Sequence, residues 1–205
     1  MEVLNFIFHD SPKITKLLTI TCVIISLMTW FEIITPLYLY FNFDLIFRKY
    51  QVWRIFSNFF YFGNFSLSLI FHLILFFRNS KFLEQSVFKG NSSDYVYFLL
   101  TSIIILSIVG PATGVVFLSN SLSFTMTYYW GRKSKNTWVN FMGVFTFRAP
   151  YLPWFYLVFS YLLESDFKHD LLGMIVGHIY FYMKDVLPRL KKSKGIQLFR
   201  TPECL

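Results

Sequence analysis

The chain has 205 residues, of which 55% are hydrophobic and 22% aromatic, and its mean hydropathy is +0.50. A soluble domain of this length cannot bury so many apolar residues in one core. The composition therefore predicts a membrane protein. The net charge of +8 does not require a nucleic-acid partner, because basic residues of membrane proteins collect at one face of the bilayer. The two cysteines, Cys22 and Cys204, indicate neither a disulfide framework nor a metal site, and no cofactor is expected.

Apolar segments, taken in chain order, predict six membrane spans at residues 17–34, 55–77, 95–109, 112–130, 149–163 and 171–187. The predicted fold is therefore an all-α bundle of six transmembrane helices over residues 17–188, preceded by segment 1–16 and followed by a basic tail, 189–205. The third and fifth spans are each only 15 residues long, or roughly 22 Å of helix against about 30 Å of hydrocarbon. Such short spans either thin the bilayer locally or extend about one helical turn beyond these bounds at each end.

The placement of basic residues predicts the topology. With both chain ends in the cytosol, 15 lysines and arginines fall on the cytosolic side and 4 on the other side. This split follows the rule that short cytosolic loops carry the positive charge. The run RLKKSK at 189–194 lies just beyond the last span, where anionic lipid headgroups would attract it.

Several polar residues fall inside the predicted spans, where each costs free energy unless it faces protein or water. They are Asn58, Asn64, His72, Ser119, Asn120, Ser121, Ser123 and His178. Asn64 and His72 are eight residues apart, which places both on one side of the second span. One interpretation is a laterally open groove lined by Asn58, Asn64, His72, Ser119 and His178, and the alternative is hydrogen bonding between helices.

A pair of glycines, Gly173 and Gly177, lies one helical turn apart in the last span. Two glycines at this spacing let another helix backbone approach closely. We therefore assign both to helix packing, and expect the adjacent His178 to point into the interior.

Four stretches resemble the Derlin family, the rhomboid-related pseudoproteases of the endoplasmic reticulum. They are QVWR at 51–54, FLEQSVFKGNSSDYVYFLL at 82–100, NFMGVFTFRAPYLPW at 140–154 and GMIVGHIYFYMKDVLP at 173–188. The resemblance implies a rhomboid-like six-helix bundle, multi-pass in the endoplasmic reticulum membrane. It implies a non-catalytic function, helping misfolded luminal or membrane proteins reach the cytosol for degradation, together with a membrane ubiquitin ligase complex and an AAA ATPase. Trp53 and Arg54 match the family's signature in the luminal loop. The alternative is that Arg54 anchors the end of the second span at the interface and that Trp53 belongs to the aromatic belt.

Active rhomboid proteases use a serine at the start of the fourth span and a histidine in the last span, and Derlins generally lack that serine. Here FLSNSLSF at 117–124 places Ser119 near the nucleophile position, so a Ser119 and His178 dyad is the alternative hypothesis. The flanking glycines of the protease motif are absent, and the bulky Tyr180 and Phe181 follow the histidine. A small-molecule transporter is a second alternative, but residues 1–100 and 101–205 show no internal repeat.

Many Derlins carry a Phe-Gly-rich motif that binds the ATPase in a long cytosolic tail. The stretch KGIQLFRTPECL at 194–205 has no such pattern. We therefore expect the ATPase to reach this protein indirectly, through a partner such as the ubiquitin ligase complex. Self-association into an oligomer stays open.

Overall fold

The computed structural model describes residues 11–89, 91–141, 145–162 and 167–189. Over these ranges the chain forms eight α-helices and one antiparallel pair of strands. In chain order they are α1 Lys13–Trp30, α2 Phe43–Arg48, α3 Trp53–Ser57, α4 Leu67–Phe82, α5 Ser92–Val109, α6 Ser119–Lys133, β1 Trp138–Phe141, β2 Phe145–Arg148, α7 Leu152–Leu162 and α8 Phe167–Phe181. Segments 1–10 and 190–205, with most of the predicted tail, lie outside the described residues.

Helices α1, α4, α5, α6, α7 and α8 pack as a bundle. Ser80, near the end of α4, hydrogen-bonds Thr15 near the start of α1 and Tyr95 near the start of α5, with oxygen–oxygen distances of 2.9 and 2.6 Å. Asn79, also near the end of α4, bonds Thr127 near the end of α6. Helices α4 and α6 are therefore parallel, and α1 and α5 run opposite to them.

The last two helices continue this alternation. The start of α8 lies beside the start of α6, because the Ser121 hydroxyl donates to the His169 carbonyl over 2.7 Å. The turn that opens α7 lies against the end of α6, where Ala149 approaches Gly131. Successive long helices thus reverse direction along the chain. The start of α1 and the ends of α4, α6 and α8 share one end of the bundle, which we call the basic end.

Most basic residues of the described chain lie at the basic end. They include Lys13, Lys16, Lys81, Lys89, Arg132, Lys133, Lys135, Lys184 and Arg189. The connections at the opposite end contain Arg48, Lys49, Arg54 and Lys168. The bundle therefore has a strong charge asymmetry along its axis.

A buried carboxylate joins the start of α1 to the turn after α4 at the basic end. Glu84, in the turn after α4, accepts the backbone N–H of Thr15 at 2.9 Å and its hydroxyl at 2.8 Å. The first N–H groups of a helix have no partner within the helix, and Pro12 provides no side-chain cap to α1. Glu84 thus caps α1 from another part of the chain, next to the bonds that Ser80 makes.

The central contact of the bundle is between α6 and α8. A Cβ atom built at Gly173 would clash with the Ser121 carbonyl, and one at Gly177 would lie 2.9 Å from the Tyr128 Cβ. The Thr125 hydroxyl also donates to the Gly173 carbonyl over 3.0 Å. At both glycines, therefore, the backbone of α8 lies against α6 with no room for a side chain.

Helix α4, which corresponds to the predicted second span, begins later in the chain than predicted. Helix α4 begins at Leu67 rather than at residue 55, and the Ser66 hydroxyl caps it by accepting the Leu69 N–H at 3.2 Å. Before it, Gly63 has a φ of +112°, which interrupts regular helix. Asn64 therefore lies outside the helix that contains His72, and the prediction that both occupy one helical face was wrong.

Helix lengths also correct the predicted spans. Helix α5 has 18 residues and continues into a tight turn, Gly110–Thr113, so the third span is not short. Helix α6 is shorter than predicted, with 15 residues, because it begins at Ser119 rather than at residue 112. The predicted fifth span extends into residues outside the described ranges. By length and composition, α1 and the segment Ser92–Thr113 are each able to cross a bilayer.

The structure also departs from a purely helical fold. Strands β1 and β2 pair in antiparallel register, with Trp138 opposite Arg148. The guanidinium carbon of Arg148 lies 5.5 Å from the centre of the Trp138 ring, and Trp138 is exposed. Periodicity did not predict this hairpin, because it falls in the connection between two apolar runs.

The α6–α8 contact predicts the effect of filling it. In Gly177→Val the new methyl groups would meet Tyr128 and the Thr125 carbonyl, and overpacking of this kind typically costs about 1–3 kcal/mol. We expect a lower melting temperature in detergent. Ile175→Val, on the exposed side of the same helix, is the control and should melt like wild type. A Gly177→Val protein as stable as the control would contradict the packing role.

Candidate functional site

A groove opens between α4, α6 and α7 and encloses about 260 Å³. Its walls are largely apolar, with Leu67, Phe71, Leu75, Phe124, Tyr156 and Phe159. All three helices also contribute polar side chains to its lining: Ser68, His72, Asn79, Asn120, Ser123, Thr127 and Ser160. We call this feature the α4–α6–α7 groove.

The most informative polar group in the groove is the Asn79 carboxamide, which is 1% exposed. Its nitrogen donates to the Thr127 hydroxyl over 2.5 Å, and that hydroxyl donates in turn to the Ser123 carbonyl over 2.9 Å. Because the Thr127 proton is already used, its oxygen accepts, and the NH₂ group of Asn79 must face it. The Asn79 Oδ1 atom is therefore left without a donor within the described chain.

A second open acceptor lies on the other wall of the groove. The Oδ1 atom of Asn120 is buried and has no hydrogen-bond donor among the described residues. His72 also lines the groove, and its ring stacks on Phe62 with centroids 6.2 Å apart. The groove thus offers two carboxamide oxygens that an incoming N–H group would satisfy.

The side chains that line the groove are suited to binding a ligand through hydrogen bonds and apolar contacts. A buried polar atom without a partner costs about 1–3 kcal/mol, which a ligand donor recovers. The described residues that line the groove include no paired carboxylates for acid–base work. Within the described ranges, no three His, Cys, Asp or Glu side chains are placed to hold a metal ion.

The structure places most of the predicted groove residues elsewhere. Asn58 is buried in the connection before α4, where its nitrogen donates to the Arg54 carbonyl over 2.6 Å. Asn64 is exposed and accepts the Tyr61 hydroxyl at 2.8 Å. His72 alone, of the five residues predicted to line the groove, lies in it. Asn58 and Asn64 fall outside the groove because α4 begins about three turns later than expected.

Ser119 and His178 lie at different levels of the bundle. His178 is exposed, not interior, and its Nδ1 is 2.6 Å from the Tyr128 hydroxyl. Tyr128 is nine residues after Ser119, which is roughly 13 Å along a helix. The Ser119 hydroxyl instead donates to the Tyr61 carbonyl over 2.6 Å. A serine nucleophile needs its base within hydrogen-bond reach, so these two residues do not form a dyad.

The histidine at the level of Ser119 is His169. Both line a small cavity of about 170 Å³ together with Tyr61, Phe117 and Asn120. The Ser119 hydroxyl donates its proton to the Tyr61 carbonyl rather than to the His169 ring. The arrangement holds the start of α6 against the connection before α4.

Arg54 is a buried structural centre in the connection between α1 and α4. It is 3% exposed and donates from Nη1 to the carbonyls of Leu37 and Tyr40, at 2.8 and 3.1 Å, and from Nε to Gln51. Trp53, the residue before it, is 53% exposed. Arg54 therefore holds the connection together from inside, while the Trp53 ring faces outward.

Sequence reasoning missed Asn79 and Thr127. The signal for Asn79 was present, because it follows His72 by seven residues, which is two helical turns on the same face. It was overlooked because the predicted second span ended at residue 77. Thr127 was overlooked because a threonine in an apolar helix usually bonds its own backbone, as Thr127 also does.

The whole chain is similar to known proteins. Residues 11–203 match the model of the Der1-like family. The chain is 36% identical to "Probable derlin-2 homolog" of Dictyostelium discoideum over 97% of this chain and 80% of that protein. It is 38% identical to "Derlin-2.1" of Zea mays and 36% identical to "Derlin-2.2" of Arabidopsis thaliana, over 97% of this chain and 83% and 84% of theirs. This chain is therefore a membrane protein that belongs to the Der1-like family.

Proposed function

We propose that this protein is a non-catalytic factor of the endoplasmic reticulum membrane that binds misfolded luminal or membrane proteins and helps them reach the cytosol for degradation. Membership of the Der1-like family supports this class of function. The observation that carries the proposal is the Asn79 carboxamide oxygen, which is buried in the α4–α6–α7 groove without a donor. We infer that the groove is the binding site.

Polypeptide backbone is the ligand that best fits these acceptors. In hydrocarbon, each unpaired backbone N–H costs several kcal/mol, so an unwound segment does not enter lipid alone. The oxygens of Asn79 and Asn120 would accept N–H groups of such a segment, while Phe71, Leu75 and Phe159 would contact its apolar side chains. The groove would thereby lower the cost of moving an unfolded segment at membrane depth.

The proposed topology has six spans, with both chain ends in the cytosol. Support comes from the reversal of direction between successive long helices, which puts the start of α1 and the end of α8 together. That shared end carries most of the described basic residues, and positive charge favours the cytosolic side. The α4–α6–α7 groove then runs between the two faces of the membrane.

Local thinning of the bilayer would act with the groove. Helix α6 spans 15 residues, or roughly 22 Å, against a hydrocarbon layer of about 30 Å. Because α6 forms one wall of the groove, a helix this short shortens the apolar distance along the groove, and a thinner bilayer beside the groove opening would match it. Clients would then cross a shorter apolar distance.

The proposed partners receive the client on the cytosolic side. They are a membrane ubiquitin ligase complex and an AAA ATPase, which would be reached indirectly through that complex. This assignment rests on the family resemblance of the sequence and not on the groove.

The groove assignment predicts the effect of Asn79→Leu. The variant nearly keeps the size of the side chain, and it removes both the open acceptor and the bond that Asn79 donates to Thr127. A client N–H left without its acceptor costs about 1–3 kcal/mol, which slows binding-limited turnover roughly fivefold or more. The measurement is the half-life of a misfolded membrane client in cells that contain only the variant. Asn64→Leu, an exposed asparagine outside the groove, is the matched control and should keep normal turnover. Normal client turnover with Asn79→Leu, at equal protein level, would sink the groove assignment.

The positions of Ser119 and His178 predict that the protein is not a serine protease. A fluorophosphonate probe reacts with activated serines, so purified protein in mild detergent should stay unlabelled beside an active rhomboid protease as positive control. Ser119→Ala should keep client turnover, since only a hydrogen bond to the Tyr61 carbonyl is lost. Labelling of the wild type that disappears in Ser119→Ala would show catalysis instead.

A further inference from the structure

A second cavity, of about 400 Å³, lies at the basic end of the bundle. It is formed where α6 ends and where the chain continues beyond α8. Its lining contains four basic side chains and one acid: Arg132, Lys133, Lys135, Phe181, Asp185, Val186 and Arg189. We call it the basic cavity, and the proposed client groove shares no lining residue with it.

One of the four cations is already neutralised. The Lys133 ammonium lies 2.5 Å from Asp185 Oδ1, and this ion pair ties the end of α6 to the turn after α8. Arg132, Lys135 and Arg189 have no acid within ion-pair distance among the described residues, so the cavity keeps an excess of positive charge. A site of this kind favours an anion.

Arg132 is the group that distinguishes this cavity from a general basic surface. Its guanidinium carbon is 5.2 Å from the centre of the Phe181 ring, which holds the plane of the group in place. Its Nε atom is buried and has no acceptor in the described part of the chain. A fixed guanidinium with a free N–H matches the oxygens of a phosphate group, which arginine binds with two parallel hydrogen bonds.

The depth of the cavity indicates where the phosphate comes from. Helices α6 and α8 are embedded in the bundle, and the cavity begins in their last turns, at residues 132 and 181. Beyond the apolar part of a membrane helix lies the layer of lipid headgroups. A lipid phosphate at that depth is therefore within reach of the cavity without leaving the bilayer.

We propose that the basic cavity is a specific site for the phosphate monoester of an anionic lipid headgroup, with Arg132 as the main ligand and Lys135 and Arg189 completing the charge. A phosphate monoester, as in phosphatidic acid, presents more charge and more free oxygens than the diester of phosphatidylserine. Diffuse attraction to an anionic bilayer amounts to about 1 kcal/mol for each basic residue and does not depend on which one is removed. A specific site depends on Arg132.

The test measures lipid retention by native mass spectrometry of the full chain in mild detergent, with phosphatidic acid, phosphatidylserine or phosphatidylcholine added. We expect phosphatidic acid to be retained preferentially, and Arg132→Gln to weaken its retention about tenfold, the effect of one charge-assisted hydrogen bond. Arg132→Lys keeps the charge but removes the planar pair of guanidinium N–H donors, and it should also lose most of the preference for phosphatidic acid. Asp185→Asn frees Lys133 and should not weaken binding.

Lys89→Gln is the matched control, because it removes one positive charge from the basic end outside the cavity lining. Equal losses in Arg132→Gln and Lys89→Gln would show diffuse attraction and overturn the proposal.

Inorganic phosphate and inositol hexaphosphate are added in parallel arms. If either competes at the concentration at which phosphatidic acid binds, the cavity takes a soluble phosphate and the lipid assignment fails. If Arg132→Gln lowers the melting temperature, the lipid-retention comparison uses Arg189→Gln instead, because Arg189 is an exposed residue of the cavity lining.

Discussion

The close contact between α6 and α8 sets the register of the rest of the bundle. Gly173 and Gly177 let the backbone of α8 lie against α6, and the Thr125 hydroxyl bonds across the contact. With two parallel helices held at this spacing, each residue of α6 has a fixed neighbour on α8. The same register that brings His169 to the level of Ser119 places His178 beside Tyr128, more than two turns further along.

Helix α6 is consequently enclosed by protein, and its polar residues divide between two sides. Ser121 and Thr125 face α8 and donate to its carbonyls. Toward α4, Thr127 accepts from Asn79, and the oxygen of Asn79 stays open to the groove. Because the side toward α8 is fully used in packing, the unsatisfied acceptors concentrate on the side that opens between α4 and α7. Packing and binding thereby occupy opposite faces of one helix.

Composition and apolar runs predicted a helical membrane protein, and the four quoted stretches led to the family that the comparisons show. These features depend on the residue composition and on local sequence motifs. The residues that line the groove could not be predicted in this way, because Asn64 and His72 share a face only if the helix is continuous, and Gly63 interrupts it. Likewise, spacing identified Gly177 as a contact but led to the wrong prediction that the neighbouring His178 points into the interior, since His178 is exposed. Such placements depend on where helices begin and how they are registered against each other.

The central claim, that unfolded chains pass through the α4–α6–α7 groove, is tested most directly by site-specific photocrosslinking in native membranes. A photoreactive phenylalanine derivative at Phe71 or Phe159 would lie in the groove, and one at Ile104 would lie on the exposed outer face of α5. We expect a misfolded client to crosslink from the two groove positions and not from Ile104. Equal crosslinking from Ile104, or none from Phe71 and Phe159, would contradict passage through the groove.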